Sequence, residues 1–219
     1  MMPKTWLLDF DDTLASGSIT WGLSHAFPKM IRDNQLPFDD GRFRQAVLAA
    51  QARAIEAYDP KPILHELFEK MDWPFELETV FLDDIATHYQ PELFADAMPF
   101  LNRLAENHAD VFVISNNPIT HDHVRELGID RYIVEVLTPD SFEDGEPKPD
   151  PSMWLHIMDV KPEIRTSTAV MVGDDPWSDG VFAEKCGLTC WMIDRHGRFA
   201  TMYGQTPYRW VRSLAEIAP

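Results

Sequence analysis

Short, predominantly apolar runs recur along the chain, and they constrain its fold more than any other feature. The clear runs cover residues 5–8, 111–114, 169–172 and 190–193, and residues 132–137 form a weaker candidate. An apolar run without polar alternation predicts a strand that is buried on both faces, as in a parallel sheet covered by helices. The sequence therefore predicts several strands of one parallel sheet.

The segments between these runs change to helical spacing. Helices are predicted over residues 99–107, 118–127 and 178–186, and the last two are followed by Gly128 and Gly187. Glycine directly after a periodic segment is a frequent helix end. Strands that alternate with helices predict an α/β fold with a doubly wound, mostly parallel sheet.

One long stretch contains no strong strand. Between residues 16 and 97 the sequence instead predicts helices over residues 42–58, 61–71 and 76–89. We therefore expect two domains, an α/β core of residues 1–15 and 98–219 and an all-helical insertion of residues 16–97.

Charge and composition exclude several classes of partner. The chain has 19 Lys and Arg against 36 Asp and Glu, a formal net charge of −17. Such a chain repels nucleic acid and anionic membrane surfaces, so we expect neither as a partner. The first residues lack the apolar core of a signal peptide, and Cys186 and Cys190 are interpreted as reduced thiols. The expectation is a cytoplasmic protein, and whether it is a monomer or a homodimer stays open.

Polar residues follow three of the predicted strands, where ligands of parallel sheets bind. Asp9 and Asp11 follow the first strand and share one side of the chain because they are two residues apart. The other polar residues after strands are Ser115 and Asn116, and then Asp174, Asp175 and Asp179. Converging carboxylates repel one another, and oxygen ligands without His or Cys favour Mg²⁺ as the cation that removes the repulsion.

Such a set of groups suits phosphoryl transfer. A carboxylate can attack a metal-held phosphoryl group, and a second carboxylic acid can protonate the leaving oxygen. A hydroxyl group, an amide and a lysine can hold the phosphoryl oxygens, and Lys148 lies in the proline-rich segment 146–151.

Four segments in this order resemble the motifs of the haloacid dehalogenase superfamily, specifically its phosphatases with a helical cap inserted after the first motif. They are LLDFDDTL, VFVISNN, GEPKPDP and VMVGDDPWSD. The resemblance implies a Rossmann-like core and a magnesium-dependent phosphomonoester hydrolase that acts on a small phosphorylated metabolite. It also implies an aspartyl-phosphate intermediate and a helical insertion that serves as a lid.

The resemblance also implies a role for each matching residue. Asp9 would be the nucleophile and Asp11 the general acid and base. Mg²⁺ would be held by Asp9, Asp174 and the backbone carbonyl of Asp11. The phosphoryl oxygens would be held by Ser115, Asn116 and Lys148, while Asp175 and Asp179 would lie in or just behind the metal site. Two positions depart from the pattern, because Asp12 and Ser178 stand where relatives often have other residues.

Three alternatives remain at this point. A phosphomutase would share every catalytic residue, so that only its products distinguish it. A haloacid dehalogenase would use Asp9 but needs neither an acid at position 11 nor Mg²⁺. A phosphorylation switch of the response-regulator type would carry its phosphorylated aspartate on a middle strand, and this chain carries Asp9 on the first.

Overall fold

The computed structural model describes residues 4–57 and 60–218, and side chains outside residues 50–63. Tyr58, the last residue of the helix predicted over 42–58, lies outside the described residues. The helices and strands in chain order are β1 (Thr5–Leu8), α1 (Ser18–Ser24), α2 (Ala26–Asp33), α3 (Asp40–Ala57), α4 (Pro60–Met71), α5 (Glu76–His88), α6 (Ala97–Glu106), β2 (Asp110–Ile114), α7 (Thr120–Glu126), β3 (Glu135–Leu137), α8 (Ser152–Val160), β4 (Ala169–Gly173), α9 (Val181–Cys186), β5 (Thr189–Ile193) and β6 (Arg209–Val211).

The strands form one sheet in the order β3-β2-β1-β4-β5-β6, and every neighbouring pair is parallel. The predicted α/β fold with a Rossmann-like parallel sheet is confirmed. The chain leaves the central strand β1 first toward β2 and β3, and later crosses to β4 on the other side. The ends of β1, β2 and β4 therefore flank a topological switch point, where parallel sheets bind ligands.

Both faces of the sheet are covered, which explains the predominantly apolar strands. Trp6 and Leu8 of β1 pack in a cluster with Phe100 of α6. Leu7, which points to the other face, packs in a second cluster with Trp154 of α8 and Phe182 of α9. Because successive side chains alternate between faces and each face meets helices, Trp6, Leu7 and Leu8 are all buried.

The chain divides into two compact units, residues 1–17 with 91–219 and residues 18–90. The described secondary structure of the second unit consists of helices α1 to α5, and this unit has its own apolar core. Phe27 and Phe81 lie at its centre with ring centroids 4.2 Å apart. A Cβ at Gly22 would lie 2.5 Å from Ile85 Cδ1, so glycine allows α1 to approach α5 without displacing that side chain. None of the described helices is both long and apolar enough to cross a membrane.

The sequence pattern does not predict three of these elements, α1, α2 and β6. These two helices contain Gly22 and Pro28, residues that count against a helix in a sequence pattern. Strand β6 has only three residues at the edge of the sheet. Strand β3 is shorter than the predicted 132–137, because residues 130–132 form a 3₁₀ turn.

A part-buried ion pair lies where segments 94–96, 194–195 and 213–214 of the α/β unit meet. Asp96 accepts hydrogen bonds from Arg195 Nη1 at 2.9 Å and Nη2 at 3.1 Å. It also accepts from the hydroxyl of Ser213 at 2.6 Å and the backbone N–H of Leu214 at 2.8 Å. Burial alone would raise the pKa of Asp96, but hydrogen bonds from Arg195 and Ser213 outweigh it and lower that pKa below its usual value.

We predict that Asp96→Asn destabilises the protein by about 2 kcal/mol, because it leaves Arg195 with an uncharged partner. This corresponds to a fall in Tm of roughly 4–8 °C for a chain of this size, measured by circular dichroism at pH 7. Because the pKa of Asp96 is lower in the folded protein, its contribution to the free energy of unfolding is fully present above its unfolded pKa of about 3.9. That contribution is lost as the pH falls through the pKa of Asp96 in the folded protein. The difference between the two proteins should therefore narrow below about pH 4.

The matched control is Asp122→Asn, because Asp122 pairs with Arg125 at 3.5 Å on the exposed surface. Its effect should stay within about 0.5 kcal/mol. A difference between Asp96→Asn and wild type that widens as the pH falls would contradict the assignment.

Candidate active site

The parallel register brings the ends of three strands to one edge of the sheet. Leu8 pairs with Val113 on one side and with Val172 on the other, so β1, β2 and β4 end at the same level. Asp9 follows β1, and its N–H donates to the carbonyl of Val172 at 2.9 Å. Ser115 follows β2, and Asp174 follows β4. The predicted convergence of strand-end residues therefore has a direct cause in the register.

Lys148 lies at the centre of this edge and is 3% exposed. Its ammonium donates to Asp9 Oδ1 at 2.6 Å, to Asp179 Oδ1 at 2.6 Å and to the carbonyl oxygen of Ile114 at 2.9 Å. These three acceptors use all three protons of the ammonium group. Burial alone would lower the pKa of Lys148, but the adjacent charges of Asp179 and Asp9 outweigh burial and raise it. Lys148 is therefore a fixed positive charge beside Asp9.

Asp179 is a brace within the site rather than an open ligand. Its Oδ1 receives the Lys148 ammonium, and its Oδ2 accepts the backbone N–H groups of Asp174 at 3.0 Å and Asp175 at 3.1 Å. A Cβ at position 173 would lie 2.2 Å from Asp179 Oδ2, so only Gly173 leaves room for this carboxylate. The loop after β4 is thereby tied to Lys148.

The carboxylate of Asp175 accepts hydrogen bonds from the backbone of its own loop. Its Oδ1 accepts the N–H groups of Trp177 at 2.9 Å and Ser178 at 3.4 Å, which caps the π-helical turn Pro176–Gly180. This geometry favours a structural role for Asp175, and its predicted place beside the metal stays a prediction.

Asp11 receives a hydrogen bond from Asn117 Nδ2 at 3.3 Å on its Oδ2. Burial raises the pKa of Asp11, and the hydrogen bond from Asn117 acts in the opposite direction. A carboxyl group with a raised pKa is suited to give and take protons near neutral pH. The sequence assigned no role to Asn117, although its position two residues after Ser115 at a strand end was a usable signal.

Ser115 is buried, and its hydroxyl oxygen already accepts two hydrogen bonds. They come from the N–H of Asn117 at 3.1 Å and the hydroxyl of Thr120 at 2.9 Å. With both lone pairs of the oxygen used, the proton of Ser115 is directed to an acceptor elsewhere. This arrangement turns Ser115 into a donor for an anionic oxygen.

The side chain of Asn116 faces the backbone of Lys148. Its Nδ2 donates to the carbonyl of Lys148 at 2.9 Å, and its Oδ1 accepts the N–H of Lys148 at 2.7 Å. This two-bond clamp makes Asn116 a residue that positions Lys148. Direct contact of Asn116 with a phosphoryl group stays a prediction.

Two arginines of the loop after β5 also reach the site, and the sequence analysis missed both. Arg195 donates to the carbonyl oxygens of Asp12 at 3.4 Å and Thr13 at 2.8 Å, which holds the loop after β1. Arg198 Nη2 donates to Asp174 Oδ2 at 2.8 Å. The search for polar residues at strand ends would have reached them, because they follow the predicted strand 190–193.

The acidic cluster fits a divalent cation. Oxygen atoms of Asp9, Asp174 and Asp179 all lie within 4.8 Å of one another, and two ligand oxygens of one Mg²⁺ lie roughly 3–4 Å apart. Burial raises the pKa of Asp9 to about 8 and that of Asp174 well above its usual value, and neighbouring carboxylates add to both shifts. Because both oxygens of Asp179 already have partners, Asp9 and Asp174 are the favoured ligands. The predicted ligand role of the Asp11 carbonyl stays a prediction.

Comparison with known proteins identifies a family. A family model for haloacid dehalogenase-like hydrolases matches residues 3–187. No curated protein sequence matches the chain significantly.

Many solved structures share the fold. The HAD-hydrolase YfnB of Bacillus subtilis, solved with bound magnesium, aligns with a TM-score of 0.68 at 16% identity, over 99% of this chain and 97% of that one. A HAD phosphatase of Thermococcus onnurineus gives 0.59 at 21% identity, over 97% and 95%. A 2-haloacid dehalogenase of Pseudomonas syringae gives 0.59 at 22% identity, over 98% and 96%. At these identities the structures establish a shared fold.

We predict that Gly173→Ala destabilises the protein by about 2–3 kcal/mol, because the added methyl group displaces Asp179 from Lys148 and the two N–H groups. Thermal unfolding measures the loss, and reaction of Lys148 with an acylating reagent, located by peptide mass mapping, should become faster. Gly41→Ala is the control, since its Cβ would meet only Asp39 Oδ1, at 3.4 Å. A Gly173→Ala protein with wild-type Tm and a Lys148 that reacts no faster than in wild type would contradict the structural role assigned to Asp179.

Proposed function

The chain belongs to the haloacid dehalogenase-like hydrolases, and we propose that it is a magnesium-dependent phosphomonoester hydrolase acting on a small phosphorylated metabolite. The observation that carries the proposal is the placement of Asp9 at the switch point. Its carboxylate contacts Lys148 and lies in the cluster with Asp174. The second acid, Asp11, lies two residues after Asp9 and accepts a hydrogen bond from Asn117.

The proposed reaction begins with attack of Asp9 on phosphorus. The new bond from the Asp9 oxygen to phosphorus forms in line as the bond to the leaving alcohol breaks, and Asp11 donates its proton to that alcohol. Asp11 then takes a proton from a water molecule, whose oxygen attacks the phosphorus and releases Asp9 and inorganic phosphate. When bound, Mg²⁺ supplies positive charge that keeps Asp9 ionised and offsets the charge of the phosphoryl group.

The remaining residues orient and neutralise the phosphoryl group. Ser115 has its proton available for a phosphoryl oxygen, because its oxygen already accepts from Asn117 and Thr120. Lys148 acts through its charge at Asp9, since its three protons are bound in place. Asn116 supports Lys148 through the backbone clamp.

We propose that the helical unit of residues 18–90 serves as the cap, which excludes water and selects the leaving group. The presence of Asp11 favours phosphate esters over haloacids, because displacement of a halide needs no proton donor. A phosphomutase remains the alternative that shares all of these residues, and its product would be an isomeric phosphate ester instead of inorganic phosphate.

The first test is hydrolysis of p-nitrophenyl phosphate with Mg²⁺ and with a chelator, using wild type and Asp9→Asn. We expect turnover that depends on the metal and falls roughly 10³-fold or more in Asp9→Asn, because an amide is not a nucleophile. The variant should remain folded, since the amide oxygen can still accept from Lys148. Asp122 is an exposed acid that pairs with Arg125 and makes none of these contacts, so Asp122→Asn is the matched control and should keep full activity.

A second variant tests the intermediate. Asp11→Asn should still take up the phosphoryl group from this activated substrate but release it slowly, so that the phosphorylated protein accumulates and is visible by intact mass. Normal turnover in Asp9→Asn, or release of halide from a haloacid without release of phosphate from any ester, would overturn the proposal.

A further inference from the structure

We propose that Arg198 is an internal cation that competes with the divalent cation for Asp174 and so sets the metal affinity of the site. The inference rests on the proposed function, because it concerns the same metal. It assigns to the loop after β5 a role in controlling when the site is loaded.

The first support is the ion pair itself. Arg198 Nη2 lies 2.8 Å from Asp174 Oδ2, and the two side chains are only 19% and 14% exposed. A pair with so little water around it is screened weakly, so the positive charge is felt strongly at the Asp174 oxygens. A metal ion that binds Asp174 must share this carboxylate with the guanidinium.

The second support is that Arg198 is fixed in place. Asp194 is fully buried and accepts the backbone N–H of Arg198 at 2.8 Å, the N–H of Phe199 at 2.8 Å and the hydroxyl of Tyr203 at 2.9 Å. The guanidinium carbon of Arg198 lies 5.0 Å from the centroid of the Phe199 ring. The backbone of this loop therefore presents the guanidinium to Asp174 as part of the fold.

The third support is an unsatisfied donor. Arg198 Nε is buried and has no hydrogen-bond partner among the residues that the structure describes. Leaving a buried N–H without an acceptor is unfavourable, so attraction to the carboxylates must outweigh it. The guanidinium is thus held at this point by charge more than by a complete set of hydrogen bonds.

The charges around Asp174 give the direction of the effect. Asp12 acts electrostatically on both Asp174 and Arg198, so Asp9, Asp12, Asp174 and Asp179 face two fixed cations, Lys148 and Arg198. The positive charge of Arg198 thus cancels part of the negative charge that attracts a divalent cation to Asp174. Removal of its charge should strengthen metal binding and, without metal, should leave the carboxylates to repel one another.

The test measures binding of Mn²⁺, an ion that also prefers oxygen ligands, from the electron paramagnetic resonance signal of the free ion. Wild type, Arg198→Gln, Arg198→Lys and Asp174→Asn are compared as full chains at one pH and ionic strength. We expect Arg198→Gln to lower the Kd for Mn²⁺ roughly tenfold or more. Arg198→Lys keeps the charge and should stay within about threefold of wild type.

Thermal unfolding of the same proteins, with a chelator and with Mn²⁺, provides an independent readout. Arg198→Gln should have a lower Tm than wild type in chelator, yet a larger rise in Tm on adding Mn²⁺, because at one ligand concentration tighter binding stabilises the folded state more. This pattern also shows that the variant is folded.

The outcomes separate the inference from the proposed function. Binding to wild type that is lost in Asp174→Asn supports the metal site, and an unchanged or higher Kd in Arg198→Gln then overturns the role of Arg198 alone. An equal fall in the Kd in Arg198→Gln and Arg198→Lys would also overturn it, since geometry and not charge would then be decisive. Wild-type protein that binds no Mn²⁺, or Asp174→Asn that binds it equally well, would overturn the metal site and the inference together.

Discussion

A buried ammonium group between two buried carboxylates is the interaction on which the rest of this site depends. Taking Lys148, Asp9 and Asp179 out of water carries a desolvation penalty of several kcal/mol for each ion. Short hydrogen bonds of 2.6 Å to both carboxylates, with a third to the carbonyl of Ile114, offset that penalty. The loss of any partner would leave an uncompensated buried charge, so the three segments that carry them are held in one arrangement. The candidate nucleophile is therefore positioned before any substrate arrives.

Bonds between loops, rather than apolar packing, hold the remaining groups of the site. Asn116 clamps the backbone of Lys148, Arg195 holds the carbonyl oxygens of Asp12 and Thr13, and Asp194 fixes the backbone that carries Arg198. The first two contacts join a side chain of one loop to the backbone of another, and the third lies within the loop after β5. Such support is what a preorganised site requires, because small displacements of reacting groups reduce catalysis strongly.

The sequence predicts the sheet and the convergence of Asp9, Ser115 and Asp174 well, because both depend on local signals. Predominantly apolar runs mark strands that are buried on both faces, and parallel register then aligns their ends. Strand β6 has only three residues, and helices α1 and α2 contain Gly22 and Pro28, which count against a helix, so these elements escape the same reasoning. The partners of Lys148 and Arg198 were not predictable, because they depend on the path of loops that only tertiary structure fixes. Asn116 illustrates this: its position is typical of a phosphoryl contact, yet its amide is bonded to the backbone of Lys148.

Because the chain is acidic, an anionic substrate must be attracted to the site by a local positive charge. With a net charge of −17, the average field of the protein opposes the approach of a phosphate ester. Lys148 cannot offer a free proton, because all three are bound, and Arg198 is paired with Asp174. The nearby cations thus mainly balance the carboxylates and leave little attraction for an incoming anion. Under the proposed function, capture of the phosphoryl group must therefore come from the dication together with the proton of Ser115, so that an unloaded site would have little affinity for its substrate.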